Sequence, residues 1–189
     1  MSAHKILVLA GSARKDSVNK KLAANAAEIA RDRGAEVTLV DLADYEAPLY
    51  HGDDEAENGM PGSMKAMRNL LAEHDAMIVA TPEYNGNIPP LLVNTFDWMS
   101  RPDGDDKSNP FAGKLAIVMA ASPGGLGGVR VIPRLRAFLT DLGMMPLPGH
   151  ASVPGAFQAF DDAGRLINDR SRGQIEGLVD NLINFLGRA

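Results

Sequence analysis

The chain has 189 residues, 45% of them hydrophobic and 23% charged, enough apolar mass for a single self-supporting domain over residues 1–189. It contains no cysteine, which excludes a disulfide framework, a thiolate metal cluster, a cysteine nucleophile and a dithiol redox pair, so any redox chemistry must be borrowed. A formal charge of −5 argues against a general nucleic-acid or anionic-membrane surface.

The N-terminal apolar run, residues 6–10, is too short for a secretory signal and leads straight into a glycine turn, so a cytoplasmic protein is expected. No apolar stretch approaches the roughly 20 residues of a membrane helix. His4, His51, His74 and His150 show no metal-ligand spacing, and no metal site is expected.

That first run is the first expected strand. Val18, Leu22, Ala26 and Ile29 follow at spacings of three and four and line one helix face, which Gly34 ends. Residues 37–40 predict a second strand, and residues 42–62 a long irregular segment carrying the acidic run Asp53, Asp54, Glu55 and Glu57. Helices are expected at 63–73, 90–100, 131–142 and 173–186, with strands at 77–80 and 115–120 and a weaker fifth at 144–147. Short strands apolar on both faces, alternating with helices, predict a three-layer, doubly wound α/β domain around a five-stranded parallel sheet.

Ligands of such sheets bind beyond the carboxyl ends of the strands, which directs attention to three loops. After the first strand come Gly11, Ser12, Arg14, Ser17, Val18 and Asn19, where hydroxyls, an amide, a guanidinium and a helix start suit a phosphate. A serine-capped helix with a solvent-facing arginine is the plainer alternative. Neither the Walker pattern nor the G-x-G-x-x-G fingerprint is present. After the third strand, Pro82, Glu83, Tyr84, Asn85 and Gly86 make a rigid turn with exposed amides before Pro89 and Pro90 open a helix. After the fourth strand, Ser122, Gly124, Gly125, Gly127 and Gly128 allow close backbone approach, although such loops also serve as plain connectors.

In combination, Gly11-Ser12-x-Arg14-x-x-Ser17-x-Asn19, Pro82-Glu83-Tyr84-Asn85 with Pro89, Asn94-x-x-Asp97-Trp98 and Ser122-x-Gly124 closely resemble the NADPH-dependent FMN reductase family, in its chromate and quinone reductase branch. Asp41-Leu42 and Pro48-Leu49-Tyr50 extend the likeness into the long segment. Two positions depart from it: Val93 stands where a lysine is common, and Pro133 falls in the first turn of the fourth helix.

The resemblance implies a flavodoxin-like fold, bound FMN, NADPH or NADH as co-substrate, and homodimers or homotetramers. Ser12, Arg14, Ser17, Val18 and Asn19 would hold the FMN phosphate. Pro82, Glu83, Tyr84, Asn85 and Gly86 would border the ring and ribityl chain, with Ser122, Gly124 and Gly125 on the far wall. Hydride would pass from NAD(P)H to the flavin and then, in a ping-pong cycle, to a quinone-like or other small acceptor. No side chain is required as acid or base, because the flavin carries the chemistry. Arg101 is a candidate for the nicotinamide-cofactor phosphates, or simply an arginine ending a helix. The alternative activity is that of a one-electron carrier, whose Asn85-Gly86 turn would flip a carbonyl toward the flavin to stabilise the neutral radical. A nucleotide-binding regulatory module without redox activity is a third reading.

Overall fold

The computed structural model describes residues 3–188. Its strands β1 (Lys5–Ala10), β2 (Glu36–Val40), β3 (Ala76–Thr81), β4 (Leu115–Ala121), β5 (Met145–Pro146) and β6 (Ala151–Val153) form one parallel sheet. The strand order is β2-β1-β3-β4-β5, with β6 also paired to β4. The chain leaves β1 toward one edge and returns to its other side, so the direction of winding reverses between β1 and β3. A crevice opens at that reversal, beyond the carboxyl ends of the strands.

Alternation along each strand sorts the core into two layers. Ile6, Val8, Ile78, Ala80, Ile117 and Met119 face helices α1 (Val18–Asp32) and α7 (Asp169–Leu186). Leu7, Leu9, Met77, Val79, Ala116 and Val118 face the layer of α3 (Gly62–Ala72), α4 (Pro90–Met99) and α5 (Val131–Asp141). Both faces of the sheet's centre are covered, which is why β1, β3 and β4 carry no polar alternation, while edge strand β2 (Glu-Val-Thr-Leu-Val) is only partly buried. The expected three-layer, doubly wound α/β architecture is present.

Three elements differ from the sequence expectation. The fifth strand is split: β5 is only two residues long, and after residues 147–150 the chain returns as β6 beside Met119, Ala120 and Ala121. Pro146 and Pro148 supply no N–H to a ladder, and the carbonyls of Pro146, Leu147 and Gly149 accept from the Arg136 guanidinium instead. The 42–62 segment is partly ordered, with a 3₁₀ turn (Leu42–Asp44) and helix α2 (Gly52–Asn58). Asp53, Asp54 and Glu55 occupy the first turn of α2, where carboxylates favour the helix dipole. The last helix begins at Asp169, before the apolar stripe, because Asn168 caps it by accepting from Ser171 N–H at 2.9 Å. A four-residue helix, α6 (Ala156–Ala159), follows β6. Pro133 is the third residue of α5, where a missing N–H forfeits no helical bond, and the helix starts regularly.

Among the described residues no helix is long and apolar enough to cross a membrane, and no cluster of three His, Asp or Glu side chains is placed for a metal ion.

Asn168→Ala removes the N-cap hydrogen bond of α7. It should lower the urea-unfolding free energy by about 1 kcal/mol with an unchanged m-value.

Candidate functional site

Gly11 ends the ladder between β1 and β3, its N–H donating to Ala80 O at 2.8 Å, and a Cβ on it would sit 3.1 Å from Thr81 Oγ1. The chain then runs through residues 12–16 to Ser17, the N-cap of α1, whose Oγ accepts from Asn19 N–H at 3.3 Å. The backbone amides of Asp16 and Ser17 make no hydrogen bond within the described residues, and neither does the Arg14 guanidinium. Arg14, Asp16 and Ser17 line a recess of about 110 Å³ together with Ser12, Val18 and Asn19. Free amides at a helix start beside a cation make a competent anion pocket.

Asn19 sits in this recess with its side chain already engaged. Its Nδ2 donates to Ala121 O at 3.0 Å, and its Oδ1 accepts from Ala121 N–H at 2.9 Å. The residue is 1% exposed. Its amide therefore ties α1 to the end of β4 and leaves the direct donors to its neighbours. Lys20 braces the loop from below, donating to Ala13 O at 3.3 Å and pairing with Asp41 at 2.5 Å. Burial alone would raise the Asp41 pKa, but the Lys20 and Ala43 hydrogen bonds outweigh it and hold the carboxyl below its ordinary value.

Across the recess stand Pro82, Glu83 and Tyr84, and past them an open groove runs along Glu83, Tyr84, Asn85, Asn87, Ile88 and Pro90. Tyr84 and Asn87 exchange backbone bonds of 3.1 and 2.9 Å. Between them Asn85 has φ 53° and Gly86 φ 74°. Two central residues at positive φ define a type I′ turn, the conformation that Asn-Gly favours. Helix α5 holds this turn from behind. The Glu83 carboxylate accepts from the backbone N–H and Nε of Arg130 at 3.0 and 2.6 Å, and the Gly86 carbonyl accepts from the Arg134 guanidinium.

The third loop closes the recess with Ala121, Ser122 and Pro123. Its glycines serve two purposes. A Cβ on Gly127 would lie 2.6 Å from Ser152 Oγ and 2.7 Å from Pro154 N, and one on Gly128 would lie 2.8 Å from Ala120 Cβ. Those two glycines let the loop pack onto the sheet. Gly125 meets nothing within 4 Å and Gly124 only Ser122 Oγ at 3.9 Å. Space lies open above both.

An anion corner that opens past Glu83 and Tyr84 onto an amide-rimmed groove, at the reversal of a parallel sheet, matches a known family. The family model described as NADPH-dependent FMN reductase covers residues 4–158. The chain belongs to this family. A quinone reductase of Pseudomonas putida is 35% identical over 185 residues, 97% of this chain and 95% of the relative. An NAD(P)H-dependent FMN reductase of Pseudomonas aeruginosa is 35% identical over 173 residues, covering 91% and 89%. The solved flavoenzyme FerB, an NAD(P)H:(acceptor) oxidoreductase from Paracoccus denitrificans, superposes with a TM-score of 0.80 at 28% identity, covering 98% of both chains.

In this chain the Asn94-x-x-Asp97-Trp98 motif lies outside the recess. Asn94 Nδ2 and Trp98 Nε1 both donate to Pro48 O, at 3.0 and 2.8 Å, and Asn94 Oδ1 accepts from Tyr50 N–H at 2.7 Å. The motif thus fastens the 42–62 segment to α4. Arg101 is occupied by Asp97 O and Ser100 Oγ and lies 5.3 Å over the Tyr50 ring. Burial raises the Asp97 pKa, and the Arg101 charge offsets only part of that.

Phe157, 70% exposed on α6, also lines the recess. Neither it nor Arg134 stands out in the sequence, because α6 is too short to show a period and Arg134 reads as one more charge on a helix surface.

Gly127→Ala should lower stability by roughly 1–3 kcal/mol through overpacking, while Gly125→Ala stays within about 0.5 kcal/mol of the parent. Urea unfolding of both proteins without cofactor measures the difference.

Proposed function

We propose that the chain is an FMN-dependent NAD(P)H oxidoreductase that takes hydride from a reduced nicotinamide and passes the electron pair to quinone-like acceptors by a ping-pong cycle in the cytoplasm. The observation that carries this reading is the continuity of the corner of unpaired donors around Arg14 with the groove beyond Glu83 and Tyr84. A phosphate at one end and a flat ring along the other would fit that shape.

FMN, when bound, supplies a two-electron, one-proton relay. The chain's share is binding and orientation. Ser12, Arg14, Ser17 and the amides opening α1 would hold the phosphate, with Val18 and Asn19 shaping the corner. Pro82, Glu83, Tyr84, Asn85 and Gly86 would border the ring, and Ser122, Gly124 and Gly125 the opposite wall. Backbone N–H groups fixed along the ring edge would stabilise the negative charge that reduction builds there, without reorganising as it forms. The openness of the groove supports sequential visits by nicotinamide and acceptor.

The active form is a homodimer or homotetramer in this proposal. Leu49, 80% exposed beside Pro48 and Tyr50, is the apolar surface that supports it.

Arg14→Ala should cost about 1.5 to 3 kcal/mol for a charged hydrogen bond, roughly tenfold to 150-fold in FMN affinity. Fluorescence-quenching titration tests it, and the parent should bind FMN more tightly than FAD. Equal affinities for the two flavins, or an Arg14→Ala protein with parental affinity, would sink the assignment. Sedimentation equilibrium should show a dimer or larger species; a fully active 20.1 kDa monomer would refute the assembly.

A further inference from the structure

The turn from Tyr84 to Asn87 contains three peptide units, and two of them are tied at both ends of the turn. The Tyr84 carbonyl accepts from Asn87 N–H at 2.9 Å, and the Gly86 carbonyl is held by the Arg134 guanidinium. Only the central unit, the Asn85 carbonyl with the Gly86 N–H, has no partner within the described residues. It is therefore the unit that could reverse direction.

Reversing the central peptide of a type I′ turn rotates ψ of its first residue and φ of its second by about half a revolution, which converts it to type II′. In II′ the first central residue keeps a positive φ while ψ becomes strongly negative, a region that only glycine occupies at low cost. Here that position is Asn85, at φ 53°, and the glycine comes second. Asn accepts the observed left-handed conformation but not the reversed one. The order Asn-Gly thus permits I′ and blocks II′, whereas Gly at the first position would permit both.

We infer that Asn85 and Arg134 are positioning residues that lock the Asn85–Gly86 peptide in one orientation beside the ring, so that the chain does not adapt to a flavin carrying a single electron. The inference rests on the flavin reading above. With the peptide fixed, the groove offers the ring edge the same dipoles at every stage, and the hydride's two electrons leave together. The acceptor quinone takes both electrons with two protons, one carried by the flavin and one from water. The backbone does not move to hold the odd-electron state between these steps.

The test is anaerobic photoreduction of FMN-loaded protein, with the radical quantified by electron paramagnetic resonance and by its long-wavelength absorbance. The parent should accumulate little radical. Asn85→Gly accepts the native φ without strain, so it folds, and it should raise the maximal radical yield severalfold, because removing the steric penalty is worth roughly 5- to 150-fold in the population of the reversed turn. Asn85→Ala, which keeps a Cβ, should stay at the parental yield. Arg134→Gln should raise it less than Asn85→Gly does. A parent that accumulates abundant radical, an Asn85→Gly protein at the parental yield, or an Asn85→Ala protein that rises equally would each overturn the lock while leaving FMN binding intact. A parent that fails to bind FMN in titration would overturn the flavin reading itself.

Discussion

Asn19 is a polar side chain buried at the junction of α1 and β4, and its two bonds to the Ala121 backbone are the joint on which the crevice depends. Ala121 is where β4 ends and the third loop begins, so one amide fixes the β1–α1 loop and the glycine loop to each other. An amide suits this task because it alone among small side chains offers a donor and an acceptor side by side, the complement of one residue's N–H and C=O. An aspartate of the same shape would lose the donor and bury a charge.

Further ties extend this joint around the crevice. Ser122 N–H donates to Val153 O at 3.1 Å and joins the glycine loop to β6. Glu83 and Arg130 join that loop's end to the turn after β3. The two members of this pair differ in environment, since the Glu83 side chain is 6% exposed and that of Arg130 63%. Solvent screens the arginine, so the Coulombic attraction is modest. What holds the pair is the hydrogen-bond requirement of a buried carboxylate, met in part by the backbone N–H of Arg130. Cutting the Arg130 side chain back would leave Glu83 with that single backbone donor.

The sheet and its layers were legible because burial on both faces leaves an unbroken apolar run wherever a strand is paired throughout, as at residues 6–10 and 77–80. The split fifth strand was not, since Met144 and Leu147 are buried as a strand's residues would be while Pro146 and Pro148 between and beyond them cannot continue the ladder. The candidate recess was legible as a set of residue types. Ser12, Arg14, Ser17, Asn19, Glu83 and Ser122 do converge on one recess. Their division of labour was not, because a sequence does not say where a side chain points. Asn19 reads like a ligand and points into the fold. Arg134 reads like a surface charge and grips a turn.

The same asymmetry explains how a rigid crevice can stay ready for a ligand. The polar groups that set its shape, at Asn19, Glu83 and Gly86, are satisfied inside the protein, so they hold position whether or not the crevice is filled. Arg14 and Asp16 are exposed, and the Arg14 guanidinium and the Asp16 amide are left to water, where an unpaired donor costs little because it is solvated. In the proposed function, an anion entering the corner would exchange water for charge-assisted bonds without disturbing the joints behind it. Affinity would then be drawn from the donors of the β1–α1 loop and geometry from the buried pairs. That separation would leave the groove beyond Tyr84 open to successive partners while the corner held the flavin phosphate in register.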